Sequence, residues 1–139
     1  MKYFFEIPCK KDSLKDVRGF VWKALSSHGL SEIDISALVL AIDEVCANLI
    51  IHSHNCDHRN FVKLEIRVIK GKGIEFYIYD HGTGFDIANY NEPSIEEIIS
   101  TRRKGGIGLI LVRKIMDKID FFRNSEQNVC KLFKKADVN

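Results

Sequence analysis

Residues 40–52, LAIDEVCANLIIH, lie inside a longer run with helical periodicity and carry the polar side chains that decide the fold. In the run from about 34 to 52, apolar residues recur at the spacing of one helix face: Leu38, Ile42, Val45 and Leu49. Glu44, Asn48 and His52 recur every four residues, so on a helix they form a polar stripe beside that face. The run therefore predicts a helix with an apolar face for the core and a polar line next to it.

The polar stripe has two interpretations. A carboxylate and a carboxamide one turn apart present oxygens that suit a hard cation, so Glu44 and Asn48 are candidates to hold Mg²⁺. A carboxylate beside a metal-bound phosphate can also orient or deprotonate a hydroxyl nucleophile. The alternative is a solvated polar face, which surface helices normally have.

Around this helix the sequence predicts an α+β sandwich in a single domain, 1–139. Strands are predicted at 2–7, 61–69, 74–79, 119–123 and 129–134, and further helices at 13–27, 94–100 and 107–118. Gly71 and Gly73 mark a hairpin turn between two of the strands. This order of elements favours a mostly antiparallel sheet with the helices on one face.

A second polar segment, residues 80–86, directly follows the strand predicted at 74–79. An aspartate at a strand end, here Asp80, can accept a hydrogen bond from an exocyclic amine such as that of adenine. Gly82 and Gly84 allow the backbone positive φ angles and a close approach to a flat ring. The alternative is an ordinary tight turn rich in aspartate and glycine.

A third segment, residues 105–108 (GGIG), immediately precedes the helical pattern that begins at Leu109. Glycines at a helix N-terminus expose main-chain N–H groups, and the helix dipole favours phosphate there. Basic residues at 102–104 add positive charge just upstream. The alternative is a flexible hinge beside a solvated basic loop. The chain contains no P-loop motif and no dinucleotide-binding GxGxxG after its first strand.

The order of the three segments is more specific than any one of them. Glu-x₃-Asn-x₃-His on a helix, Asp-x-Gly-x-Gly after a strand and Gly-Gly-x-Gly before a helix resemble the motifs of the GHKL (Bergerat-fold) ATPases. Within that superfamily, the short length is similar to that of the anti-sigma-factor serine kinases of bacteria. Residues 40–52 resemble the first box of these kinases, and 106–117 resemble the last.

The resemblance implies an ATP site with Mg²⁺. Glu44 would be the catalytic base toward a serine hydroxyl, Asn48 would coordinate Mg²⁺, and Asp80 would bind the adenine amine. Residues 86–105 would form a lid over the nucleotide. The base and the phosphates would also be held by a further set of residues: Gly82, Gly84, Arg103, Lys104, Gly105, Gly106 and Gly108.

The resemblance also implies partners, namely a small anti-anti-sigma protein of the STAS type as substrate, a sigma factor and a second copy of the chain. Two departures from the family pattern keep alternatives open. Residues 126–129 are Glu-Gln-Asn-Val where relatives commonly have Gly-Thr-Thr, and Leu49 follows Asn48 where relatives usually have a small residue. A second hypothesis is therefore a nucleotide-dependent binding module without phosphotransfer. A third is the ATPase module of a histidine kinase.

Composition argues against other classes of partner. With 21 basic and 19 acidic residues, the formal charge is +2, which gives no strong attraction to nucleic acid or to an anionic membrane. No signal-peptide pattern or membrane-spanning run is present, so we expect a cytoplasmic protein with reduced cysteines. A zinc site is conceivable at His52, His54, Cys56 and His58, but the helix end at His52 argues against a common face for them.

Overall fold

The computed structural model describes residues 1–52, 61–80, 104–124 and 127–139. Its strands are β1 (Lys2–Pro8), β2 (Phe61–Ile69), β3 (Gly73–Asp80), β4 (Lys118–Asn124) and β5 (Gln127–Lys135). Its helices are α1 (Ser13–Leu25), α2 (Glu32–His52) and α3 (Lys104–Ile115). The helix predicted at 94–100 lies outside the described residues.

The five strands form one sheet in the order β1-β2-β3-β5-β4, and every neighbouring pair is antiparallel. Successive side chains alternate between the two faces of a strand. On β3, the alternate residues Ile74, Phe76 and Ile78 are almost fully buried and belong to the core. This face of the sheet therefore packs against the helices, as predicted for an α+β sandwich.

The turn between β2 and β3 has the predicted chemistry. Gly71 has a φ of 72°, in the left-handed region that glycine adopts without strain. Gly73 has a φ of 157°, and a side-chain carbon there would lie 2.2 Å from the backbone oxygen of Lys134. Both glycines are therefore required, one for the turn and one for the close approach of β5.

The three helices lie side by side on the core face, with α2 between α1 and α3. Ser31 caps α2, since its Oγ accepts a hydrogen bond from the Asp34 N–H at 3.1 Å. The cap explains why α2 begins at Glu32, two residues before the predicted start. No helix in these described ranges is both long enough and apolar enough to cross a membrane.

The bounds of α3 differ from the prediction of 107–118. The helix begins at Lys104 and takes in Gly105 and Gly106, which were expected to precede it. It ends at Ile115 because the Asp117 N–H donates to the Phe133 oxygen at 2.9 Å, and the chain then pairs with β5 as strand β4. Similarly, α1 ends at Leu25 and not at the predicted residue 27.

The cysteines differ in state. Cys46 and Cys130 are buried free thiols. Cys9 is disulfide-bonded, so the expectation of reduced cysteines is wrong for this residue.

Candidate functional site

Glu44 and Asn48 lie one turn apart on α2, at the border of its buried face. Asn48 is only 7% exposed, and its neighbours one turn away include the core residue Val45. Glu44 is half-buried. The polar stripe predicted from the sequence is therefore not a solvated helix face, because its central residue is inside the protein.

Asp80 is the last residue of β3 and is also 7% exposed. It shares a strand face with Ile78 and Phe76, so its side chain is directed toward the helices. In the sheet register it lies opposite Asn128 of β5. A buried carboxylate at the end of a central strand is unusual, since burial of an acidic group is costly unless partners compensate it.

The helices α2 and α3 run in opposite directions across the sheet. At the far edge, a cavity is lined by Ser31 at the start of α2, Ile115 at the end of α3 and Lys135 at the end of β5. Lys135 pairs with Gly73, the first residue of β3, so this edge is the opposite one from Asp80. A helix of 21 residues spans about 30 Å, which brings the end of α2 to the Asp80 edge.

The same geometry directs the N-terminus of α3 toward the Asp80 edge. The fold thus brings together the C-terminal half of α2, the end of β3 and the start of α3. Each of them belongs to one of the three segments that the sequence singles out, although α2 ends at His52 and α3 begins only at Lys104.

The glycines of the third segment, Gly105, Gly106 and Gly108, lie within the first turns of α3. The first N–H groups of a helix have no partner within it, and the dipole makes this end electropositive. Absence of side chains there lets a ligand approach the backbone closely. Lys104 is the first residue of α3, whereas Arg103, Gly82 and Gly84 lie outside the described residues, as does the proposed lid up to residue 103.

Burial controls the electrostatics of Glu44. Desolvation raises the pKa of its carboxyl group, and the negative charge of the neighbouring Asp43 raises it further. Asp43 itself forms an ion pair with Arg18 of α1, with 3.0 Å between Nη1 and Oδ1. A carboxylate with a raised pKa binds a proton more readily, a property that suits a general base.

The Asn48 side chain contains an unsatisfied polar atom. Within the described residues, its Nδ2 is buried and has no hydrogen-bond partner. A buried amide without a partner costs about 1–3 kcal/mol, so the residue is suited to a ligand that supplies one. An amide oxygen can coordinate Mg²⁺ while the N–H groups donate to a phosphate oxygen, so Asn48 fits a metal–nucleotide complex.

Evidence for another metal centre is absent from the described ranges. There, no three or more His, Cys, Asp or Glu side chains form a group that could hold a metal ion. Of the conceivable zinc cluster, His52 is the last residue of α2 and the other three members lie outside the described residues. The zinc hypothesis gains no support from the fold.

One residue of this edge was not recognised from the sequence. Asn128 falls in the segment that departs from the family pattern, and nothing in its local sequence connects it with Asp80. The strand register alone places it opposite Asp80. Its Oδ1 accepts a hydrogen bond from Arg123 Nη1 at 3.1 Å.

Fold and site together define a two-layer sandwich with a buried polar centre between the sheet and a helix N-terminus. The family model described as the histidine kinase-like ATPase domain matches residues 7–134. The chain therefore belongs to this family, which confirms the resemblance predicted from the sequence.

The curated relatives include proteins named serine-protein kinase RsbW. The one from Bacillus licheniformis is 28% identical over 116 residues, which cover 81% of this chain and 72% of the relative. That from Halalkalibacterium halodurans is 27% identical over 124 residues, covering 86% and 74%. Within the superfamily, the relatives are thus serine kinases, as the resemblance predicts.

Solved structures agree on the fold. The RsbU and RsbW domains of Rv1364c from Mycobacterium tuberculosis match with a TM-score of 0.68 at 12% identity, over 96% of this chain and 31% of that longer one. The histidine kinase domain of the blue-light activated kinase from Erythrobacter litoralis EL346 matches with a TM-score of 0.56 at 15% identity. The match covers 92% of this chain and 61% of the other.

Proposed function

We propose that this protein is an anti-sigma regulatory factor that binds Mg²⁺-ATP and phosphorylates a serine on a small anti-anti-sigma partner. The observation that carries the proposal is the convergence of Asn48, Asp80 and the start of α3 at one edge of the sandwich. Family membership and the serine-protein kinases among the relatives support it.

Each part of the site has a task in this proposal. Asp80 accepts a hydrogen bond from the adenine amine, and Gly82 and Gly84 frame the ring. The N–H groups at Gly105, Gly106 and Gly108, with Arg103 and Lys104, hold the phosphates. Asn48 would be the protein ligand for Mg²⁺, which would neutralise negative charge on the phosphates.

Glu44 orients the serine hydroxyl and accepts its proton. As the serine oxygen forms a bond to the γ-phosphorus, the bond from that phosphorus to the β–γ bridging oxygen breaks, and ADP leaves with the electron pair. The raised pKa of Glu44 favours the proton transfer, and the remaining catalysis comes from positioning and charge neutralisation.

The proposed setting is the bacterial cytoplasm, where such a factor would also bind a sigma factor. An alternative is a nucleotide-dependent binding module without phosphotransfer. This alternative is motivated by Asn128, which lies opposite Asp80 in the segment where relatives commonly have threonine. Both hypotheses require ATP binding, and they differ only in the chemistry of Glu44.

Calorimetric titration with ATP and Mg²⁺ tests the nucleotide site. The wild type should bind ATP, and Asp80→Asn should lose at least about tenfold in affinity, because its amide replaces an acceptor with a donor. Failure of the wild type to bind ATP would refute both hypotheses.

A transfer assay with labelled ATP and the cognate anti-anti-sigma protein then separates the two hypotheses. Glu44→Ala should retain ATP binding and lose phosphotransfer if the protein is a kinase. If the wild type binds nucleotide and partner but never transfers phosphate, the binding-module hypothesis is the correct one.

A further inference from the structure

The solvent-facing sides of the three helices carry apolar residues that are not needed for the core. Trp22 on α1, Leu40 on α2 and Leu111 on α3 are 40%, 41% and 36% exposed. Single exposed apolar residues are common on protein surfaces, so these three matter only if they are neighbours. Because the helices lie side by side with α2 in the middle, we call the three residues the helix-face row.

The Arg18–Asp43 ion pair makes Trp22 and Leu40 neighbours. It joins Nη1 of Arg18 to Oδ1 of Asp43 at 3.0 Å and so fixes the level at which α1 lies against α2. The two helices are joined by a short loop, so they run in opposite directions. One turn toward that loop from Arg18 is Trp22. One turn toward it from Asp43 is position 39, next to Leu40.

The cavity at the far edge of the sheet places Leu40 beside Leu111. Ala37 of α2 and Lys114 of α3 both line this cavity, so they lie at the same level. One turn from Ala37 toward the candidate site is Leu40. Because α3 runs in the opposite direction, one turn back from Lys114 toward the same site is Leu111. The row therefore lies at one level of the helical layer, and Glu44 is one further turn along α2.

The proposed kinase reaction brings a second protein to this surface. A serine can give its proton to Glu44 only if the folded protein that carries the serine covers the surface around that carboxylate. An interface of ordinary size buries about 800 Å² on each partner, which corresponds to a disc of about 16 Å radius. Leu40 is about 6 Å from Glu44 along α2, and neighbouring helix axes are about 8–10 Å apart. A disc centred on Glu44 therefore includes the whole row.

We propose that the helix-face row is the docking surface for the phosphoacceptor, the small anti-anti-sigma protein, with Trp22 as its aromatic anchor. This inference rests on the proposed function. An exposed tryptophan beside aliphatic side chains is the kind of anchor that carries much of the energy of a protein interface. The Arg18–Asp43 pair borders the row on the Glu44 side and supplies a polar rim. The partner should therefore present an apolar patch about one helical turn from its reactive serine.

The test measures docking and transfer separately, with the full chain and the anti-anti-sigma protein of the same organism. Calorimetry with a non-hydrolysable ATP analogue gives the Kd of the partner, and a transfer assay with labelled ATP gives KM and kcat. Trp22→Ala and Leu40→Asp should each raise the partner Kd and KM at least about tenfold. The kcat at saturating partner should stay within about twofold of the wild-type value, because docking contributes equally before and in the transition state.

Two milder or more distant changes guard against loss of folding. Leu40→Ser is a smaller perturbation of α2 than Leu40→Asp, and Leu111→Asp alters the row from another helix. Both should weaken partner binding in the same direction. The Kd of the ATP analogue, measured for every variant, should equal the wild-type value, which shows that the nucleotide site is still folded.

A matched control lies on the other side of the sheet. Phe122 on β4 is 48% exposed, much like the residues of the row. It lies opposite Val129, and Val129 lies opposite Tyr79, so all three project from the sheet face that the helices do not cover. Phe122→Asp should leave KM, kcat and the Kd of the partner unchanged.

The outcomes separate this inference from the proposed function. If the wild type phosphorylates the partner and the row variants have wild-type KM and Kd values, the docking surface is refuted while the proposed function stands. A loss with Phe122→Asp in place of the row variants refutes it too, because the partner then docks on the sheet.

Two further outcomes concern the occupant and the reaction. If Leu40→Asp converts a dimer into a monomer in light scattering and leaves the Kd of the partner unchanged, the row binds a second copy and the proposal is wrong. If the wild type binds the partner but transfers no phosphate, the kinase activity is refuted, and a tenfold higher Kd in the row variants still supports the docking surface. If the wild type binds no anti-anti-sigma protein, both proposals fail.

Discussion

Arg18 Nη1 on α1 lies 3.0 Å from Asp43 Oδ1 on α2, and Asp43 is the residue directly before Glu44 in the chain. Asp43 thereby has two effects. It joins the two helices, and its charge raises the pKa of Glu44 beyond the increase that burial causes. The two effects can be separated experimentally, because Arg18 takes part only in the first.

Replacing Asp43 with asparagine should lower the pKa of Glu44. If Glu44 is the base, the acidic limb of the phosphotransfer rate should move to lower pH, while the plateau rate stays the same. Stopped assays from acidic to neutral pH would measure this shift. Arg18→Gln is the control, because it breaks the same ion pair but keeps the Asp43 charge. A downward shift in Arg18→Gln as well would show that the ion pair, and not the charge, is responsible.

Glu44→Gln should make the folded state more stable at neutral pH. The pKa of Glu44 is raised in the folded state above its ordinary value of 4.5, so in the window above 4.5 the folded chain holds a proton that the unfolded chain releases. Stability therefore falls as pH rises from 4.5 through the raised pKa, and stays lower above it. Glutamine has no such penalty.

Urea unfolding at pH 4 and at pH 7.5 would measure this effect. The difference in unfolding free energy between Glu44→Gln and the wild type should be larger at pH 7.5 than at pH 4. A difference that is the same at both pH values would contradict the raised pKa. Loss of phosphotransfer in this more stable variant would mean that the base is kept at a cost to stability.

The sequence predicted the fold well because the core residues follow clean periodicities. The strand predicted at 74–79 is β3, and its alternate residues Ile74, Phe76 and Ile78 are buried. The apolar face predicted for α2 is also buried. The start of α3 was misplaced because glycine lacks helix propensity, so Gly105 and Gly106 seemed to stop a helix that in fact includes them.

The candidate site was predictable only in part. Glu44, Asn48 and Asp80 were proposed because each follows a local pattern and the order of segments resembles a family. The burial of Asn48 and Asp80 was not predictable, since it depends on how α2 packs on the sheet. The position of Asn128 opposite Asp80 was not predictable for a similar reason, because strand register is a long-range property with no local signal.

The two free thiols should be nearly inert in the native protein. Burial raises the pKa of Cys46 to about 12, and it raises the pKa of Cys130, with a further contribution from Cys46 itself. Relative to an ordinary thiol of pKa 9.0, the thiolate fraction of Cys46 at pH 8 is lower by about a thousandfold.

Labelling with a disulfide reagent at pH 8, followed by peptide mass spectrometry, checks this prediction. Cys46 and Cys130 should be labelled on addition of denaturant and almost unlabelled before it. Asn48→Leu leaves both thiols in place, and because it should stabilise the nucleotide-free protein, its thiols should be labelled no faster than those of the wild type. Rapid labelling of Cys46 in the native wild type would contradict its burial in the core.

Asn48→Leu should stabilise the nucleotide-free protein while removing the metal site. Leucine has a similar size and removes the buried Nδ2, which has no partner among the described residues and whose burial costs about 1–3 kcal/mol. For a domain of this size, 1 kcal/mol corresponds to a rise of about 3–4 °C in Tm. With Mg²⁺-ATP the wild type should gain stability through binding, whereas Asn48→Leu should gain little. Thermal unfolding of both proteins with and without Mg²⁺-ATP measures the two effects together.

Asn48→Asp is the matched control, because it keeps an oxygen ligand and should retain a Mg²⁺-dependent rise in Tm, although its buried carboxylate lowers Tm without ligand. If Asn48→Leu has a lower Tm than the wild type without nucleotide, the amide is already satisfied within the fold, and its assignment to the metal loses its physical basis.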